Sequence, residues 1–149
     1  MARFHYPLQK VVDLKGSEKS MAEWEFAASL SVLRKEEERM ETLQQERRAL
    51  VRQLEETTQR PTALNRLTEL HLYFEIIDQR IREQHEGVRI ASEQVTRRQS
   101  QLKDKMVDEK VWLNAKDRAY ERFRTEWLNK EQSELDEIAI VRSAAVSRG

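Results

Sequence analysis

Leu67, Phe74, Ile81, Val88, Val95 and Leu102 recur every seven residues, with Leu70, Ile77 and Ala91 at the complementary positions of the same repeat. An apolar repeat of seven held over about five heptads is the pattern of a coiled coil, because it keeps one stripe of a helix turned toward a partner helix. Past Leu102 the repeat slips by four, and Met106, Leu113, Tyr120 and Trp127 take over with Phe123 beside them. An insertion of four predicts a stutter that locally unwinds the left-handed supercoil. Gly87 weakens the helix by about 1 kcal/mol relative to alanine, which packing of Val88 can absorb.

The preceding stretch carries a less regular stripe of Phe26, Leu30, Leu33, Met40, Leu43, Leu50 and Leu54, spaced by three, four and seven, with Glu37 and Arg47 falling on it. Gly16 and Ser17 are candidates to interrupt it, and Ser20 with Glu23 fits a capping box for a restart. Between Pro7 and Lys15 a shorter helical pattern runs through Leu8, Val11, Val12 and Leu14. Pro61 separates the two stretches: it lacks an amide proton and pushes Arg60 out of the α region, and Thr62 is placed to cap the next helix. The expected fold is all-α, a single domain over residues 1–149 in which two long antiparallel helices form a coiled-coil hairpin. Helix one covers about 8–57, the turn about 58–62, and the longer helix two about 62–142.

Composition agrees. Charged residues make up 36% of the chain, with only three glycines and two prolines, and mean hydropathy is −0.84. Such polarity also suits a disordered chain, but that chain would lack periodic apolar residues. With 27 basic and 27 acidic residues the net charge is zero, which argues against a general nucleic-acid binder. The basic run Arg97, Arg98, Lys103, Lys105 and Lys110 is diluted by Asp104, Asp108 and Glu109 and reads as a solvated face. There is no cysteine, hence no disulfide or thiolate metal site. No apolar run is long enough to span a membrane, and none follows Arg3 and Lys10 as a secretory signal requires. A cytoplasmic protein is expected.

Little catalytic chemistry is on offer. The glycines are scattered, His71 and His85 lie about 21 Å apart along one helix, and acidic pairs such as Glu36-Glu37 have no water-poor pocket to shift their pKa. No cofactor, metal or catalytic residue is expected. Helix two outlasts helix one, at about 120 Å against about 75 Å. Helix one therefore runs out opposite about residue 112, leaving Leu113, Tyr120, Phe123, Trp127, Ile138 and Val141 for a binding surface or a self-associated dimer.

Three stretches together resemble the flagellar export protein FliJ family: Phe4-His5-Tyr6-Pro7-Leu8-Gln9-Lys10-Val11-Val12-Asp13-Leu14; Leu70 to Gln84, with Tyr73, Ile77, Asp78 and Ile81; and Tyr120-Glu121-Arg122-Phe123 followed by Glu131 to Ala139 with its Asp136-Glu137-Ile138-Ala139 ending. The likeness covers nearly the whole chain. It implies a component of the flagellar type III export apparatus at the cytoplasmic face of the membrane. Such a protein binds the export ATPase and the cytoplasmic domain of the export gate, and escorts export chaperones. The resemblance places gate binding on Tyr73, Ile77, Arg80 and Gln84. It places ATPase binding on Phe4, Leu8, Val12, Arg122, Arg124, Trp127, Asp136 and Glu137. The competing reading is a generic coiled-coil scaffold or homodimeric adaptor unrelated to motility.

Overall fold

A computed structural model describes residues 3–148. Among these residues there are two helices and no strand: α1, Gln9–Thr58, and α2, Leu64–Arg148. The all-α expectation holds, as does the greater length of the second helix. α1 runs through Gly16 and Ser17 without a break, so the predicted interruption and the restart at Ser20 are both absent. Packing divides the chain into two compact units. One joins the start of α1, up to Lys19, to α2 from Asp104; the other is Ser20–Lys103.

Each helix turns inward a stripe whose spacing alternates strictly between three and four. On α1 it comprises Val12, Lys15, Lys19, Ala22, Phe26, Ser29, Leu33, Glu36, Met40, Leu43, Arg47, Leu50 and Leu54, all buried or half-buried except Arg47. On α2 it runs through Leu67, Leu70, Phe74, Ile77, Ile81, Gln84, Val88, Ala91, Val95, Arg98, Leu102, Lys105, Glu109, Trp112, Lys116, Ala119 and Phe123, and every one is at least half-buried. A mean spacing of three and a half residues is the coiled-coil period.

The stutter predicted after Leu102 is therefore absent. Met106, Leu113 and Tyr120 are exposed on the flank of the seam, at 51%, 40% and 43%. The same kind of correction applies to α1. Leu30 and Glu37 are exposed, whereas Ser29 and Glu36 occupy the stripe. Ser29 can be buried because its hydroxyl donates to the Phe26 carbonyl at 2.7 Å.

In the Ser20–Lys103 unit the helices run antiparallel from the turn at residues 59–63. Thr62 does not cap α2 as predicted. Its hydroxyl lies 2.7 Å from the Thr57 carbonyl oxygen and 2.9 Å from that of Arg60, so its proton serves the end of α1. The first turn of α2 instead closes on the Ala63 carbonyl, which accepts from the Arg66 amide at 3.0 Å. The seam buries Met40, Leu70, Ile77 and Ala91, of which Leu70 is only 1% exposed. Three polar layers cross it. Arg47 lies over the Phe74 ring, 5.6 Å from its centroid, and its Nε donates to Asp78 at 2.7 Å. Gln84 Nε2 donates to the backbone carbonyl of Glu36 at 2.8 Å and to its carboxylate at 2.5 Å. Arg98 pairs with Glu25 at 2.7 Å. Gly87 has a structural role here: a Cβ there would sit 3.1 Å from Glu36 Oε2, so its absence makes room for the carboxylate.

In the other unit residues 3–8, ahead of α1, are not helical. Phe4 reaches Tyr120 edge-on at 5.3 Å and Phe123 at 5.3 Å, and stacks on Tyr6 at 6.3 Å. Pairing against α2 thus extends past residue 112, the limit expected from helix length alone, because the lead ahead of α1 continues along α2. Inside this unit α1 and α2 are joined by ion pairs: Lys15 with Asp108 at 2.9 Å, Lys19 with Glu109 at 3.1 Å, and Lys105 with Glu18 at 3.4 Å. The hydrogen bond it donates to Asp108 holds the Lys15 ammonium above its ordinary pKa.

Loss of a fully enclosed seam side chain should be costly. Leu70→Ala is expected to lower unfolding free energy by about 2–5 kcal/mol. Leu72→Ala, at a position 52% exposed, should stay within about 0.5 kcal/mol. Urea denaturation followed by circular dichroism separates the two, and equal losses would show that the seam is elsewhere.

Candidate partner-binding site

The inward stripe decides which side chains are left for a partner. Of the four residues expected on the gate face, only Tyr73 and Arg80 are exposed. Ile77 is 6% exposed and packs in the seam, and Gln84 is half-buried with its amide committed to Glu36. The spacing of four, three and four that links these residues drifts across the seam edge, so it does not mark one outer face.

The exposed apolar residues around Tyr73 are Leu72 and Ile76, at 52% and 48%, with Tyr73 itself at 56%. Leu72 and Ile76 are four apart, Tyr73 and Ile76 three apart, and Arg80 lies four beyond Ile76, so the four share one side of α2. Arg80 also lines an open groove of about 630 Å³ with Lys35, Arg39, Thr42, Leu43 and Glu83. Sequence reasoning missed Leu72 and Ile76 because the heptad count assigns them no seam position. Their signal was the apolar run Leu70-His71-Leu72-Tyr73-Phe74, which is too apolar for a helix with a single buried stripe.

The residues expected to meet the ATPase fall in the other unit. Phe4 is half-buried in the cluster with Tyr120 and Phe123, Leu8 is 46% exposed, and Val12 is 6% exposed and faces α2. Val12 thus supports the end from inside and is not offered to a partner. Arg122, Arg124, Asp136 and Glu137 are all exposed, and Trp127 is half-buried.

Beyond Trp127 the character of α2 changes. Every described residue from Leu128 to Arg148 is exposed, including Leu128, Leu135, Ile138, Ile140, Val141 and Val146 at 50–79%. Extended past Phe123, the seam spacing falls on Glu126, Lys130, Ser133 and Glu137, which are polar, before it reaches Ile140. Leu128, Leu135 and Ile138 follow a seven-and-three spacing on the opposite side of the helix. Glu131, Glu134, Asp136 and Glu137 make the middle of this segment acidic, and Arg142 and Arg148 follow. Trp24, on α1, is 80% exposed and lies outside the seam.

Among the described residues no group of three or more His, Asp or Glu side chains is placed to hold a metal ion. Among the same residues no helix is long and apolar enough to cross a membrane.

A family model described as flagellar FliJ protein matches residues 4–148. No curated protein matches the chain. A solved structure of a candidate YscO homolog, CT670, from Chlamydia trachomatis is similar over 99% of this chain and 99% of its own, with a TM-score of 0.69 and 20% sequence identity. At that identity the likeness concerns the fold.

Phe4 ties the non-helical lead to α2 through two rings, each aromatic pair being worth about 0.5–1.5 kcal/mol beyond buried area. Phe4→Ala should therefore lower stability by about 1–3 kcal/mol, and Phe4→Leu by less. His5→Ala, at an exposed position, should change it by no more than about 0.5 kcal/mol. Urea midpoints for the three variants check this, and equal values for Phe4→Ala and His5→Ala would remove the ring cluster as a fastening.

Proposed function

The chain belongs to the flagellar FliJ protein family, a family associated with type III export, and we propose that it couples the export ATPase to the export gate and escorts export chaperones. It does so by presenting helical surfaces at the cytoplasmic face of the membrane. The observation that carries this reading is the bare end of α2. An exposed helix with leucine, isoleucine and valine on the side turned away from the seam stripe is suited to a further partner.

Two surfaces divide the work. The ATPase is met by the end of α2, where Arg122, Arg124, Asp136 and Glu137 offer charge of both signs and Leu128, Leu135 and Ile138 offer apolar area. Phe4 and Leu8 border this surface, Trp127 begins it, and Val12 holds it from beneath. The gate is met by Leu72, Tyr73, Ile76 and Arg80, with Ile77 and Gln84 fixing α2 against α1 behind them. Mixed polar and apolar contacts of this kind suit a transient assembly, because apolar anchors supply affinity and rim charges supply orientation.

The generic scaffold or homodimer remains the contrasting reading. In a strong symmetric dimer the same apolar residues would be covered by a second copy. Sedimentation across a concentration series distinguishes them.

Leu128→Asp, Leu135→Asp and Ile138→Asp combined should weaken binding to the cognate export ATPase at least about tenfold, or about 1.4 kcal/mol, with helicity unchanged. Tyr73→Ala with Ile76→Ala should weaken binding to the gate domain similarly and leave the ATPase untouched. Wild-type affinity of the first variant for the ATPase would sink the assignment of the α2 end.

A further inference from the structure

In the unit that joins the start of α1 to α2, the seam exchanges apolar layers for charged ones. Val12 is buried, but the next α1 seam positions are Lys15 and Lys19, and α2 answers with Lys105 and Glu109 before Trp112. Every charged side chain in the cross-helix pairs is reached by water, from 18% exposure for Glu109 to 44% for Lys105. Ion pairs so placed are individually weak and are screened by salt, unlike an apolar layer. Gly16 loosens the same stretch. Glycine lowers helix stability, and Glu109 Oε2 lies 3.2 Å from where its Cβ would be.

This arrangement differs in kind from the seam of Ser20–Lys103, where Arg47, the Glu36–Gln84 pair and Arg98 are single polar layers separated by apolar residues such as Met40, Leu43, Leu70, Phe74, Ile77 and Ile81. There the apolar residues hold the helices and the polar layers fit between them. Along Lys15–Lys19 the order is reversed: charge holds the helices together, and the apolar contacts of this unit on α1 and its lead lie before it, at Val12 and the Phe4 cluster.

We propose that Gln9–Lys19 is an electrostatic latch: it separates from α2 when its three ion pairs are screened or replaced by the charges of a partner, and its release uncovers the α2 seam from Lys105 to Trp112. Separation leaves α1 with an eleven-residue end that contains a glycine and has lost its packing. A helix end of that length frays in water, so opening is visible as loss of amide protection. The latch stands on this unit alone and requires no particular partner, so its test is independent of ATPase or gate binding.

Hydrogen exchange on the full chain tests it. Raising sodium chloride from about 0.01 M to about 1 M shortens the Debye length from roughly 30 Å to roughly 3 Å. Exchange of the Val11–Lys19 amides should then quicken about tenfold, while that of Met40–Leu54 changes by less than about twofold. Asp108→Lys should speed exchange in Val11–Lys19 already at low salt, and adding Lys15→Asp to it should restore protection. Lys15→Leu, Lys19→Leu, Lys105→Leu and Glu109→Leu together remove all three pairs and should abolish the salt response. A salt response equal in both segments, no response in either, or failure of the Lys15→Asp, Asp108→Lys pair to restore protection would overturn the latch.

Discussion

The unbroken alternation of three and four along both helices is the constraint from which the other features follow. Once α1 presents Ala22, Phe26, Leu33, Met40, Leu50 and Leu54 at that spacing, α2 must keep the same period to stay in contact. A slip of even one residue turns a helix by about 100° and takes its stripe off the partner. The register therefore prevails over local hydrophobicity. It carries Lys105, Glu109 and Lys116 inward and leaves Met106, Leu113 and Tyr120 on the flank, because the corresponding stretch of α1 is itself charged. Lys15 and Lys19 are matched by Asp108 and Glu109, and Glu18 by Lys105. A stutter would have set those lysines against apolar side chains with no counter-charge.

The same logic accounts for the polar layers of Ser20–Lys103. A charged or amide group in a seam is tolerated where it finds its own partner across it and is disfavoured in any other alignment. Gln84 bonds to both the backbone and the side chain of Glu36, and this contact needs the space that Gly87 leaves open. Arg47 lays its guanidinium on Phe74 and ends on Asp78. Each layer is specific to one alignment of α1 against α2, and Leu70, Ile77 and Ala91 supply the apolar burial that such layers cannot.

Much of this was legible in the residues. The heptads from Leu67 to Leu102, the break at Pro61 and the unequal helices are strong periodic or steric signals, and the structure reproduces them. What escaped was whatever depends on the opposing helix. Met106, Leu113 and Tyr120 repeat every seven residues as convincingly as any seam, and only the charges across from Lys105 and Glu109 show that they are not one. Ser29 and Leu30, or Glu36 and Glu37, cannot be ordered by hydrophobicity along one helix, since the more apolar of the first pair lies outside. Thr62 had two ends to cap, and sequence does not say which carbonyl its hydroxyl reaches. The candidate site residues meet the same limit: Ile77 and Val12 are buried in the seam, and spacing along one helix does not separate a seam residue from its exposed neighbour.

Surfaces for partners are then fixed by subtraction. A coiled coil has no interior beyond its seam, so a side chain either holds the two helices together or is available to something else, and few can do both. Ile77, Gln84 and Val12 are spent on the pairing. Leu72, Tyr73 and Ile76 stand outside it and gain nothing from α1, so their apolar character calls for another explanation. The end of α2 carries the argument furthest. From Glu126 to Glu137 the seam positions are polar while Leu128, Leu135 and Ile138 lie on the other side of the helix, so the pattern of this stretch no longer matches α1. That change of apolar side along one helix is the pattern on which the proposed partner surface at the end of α2 rests.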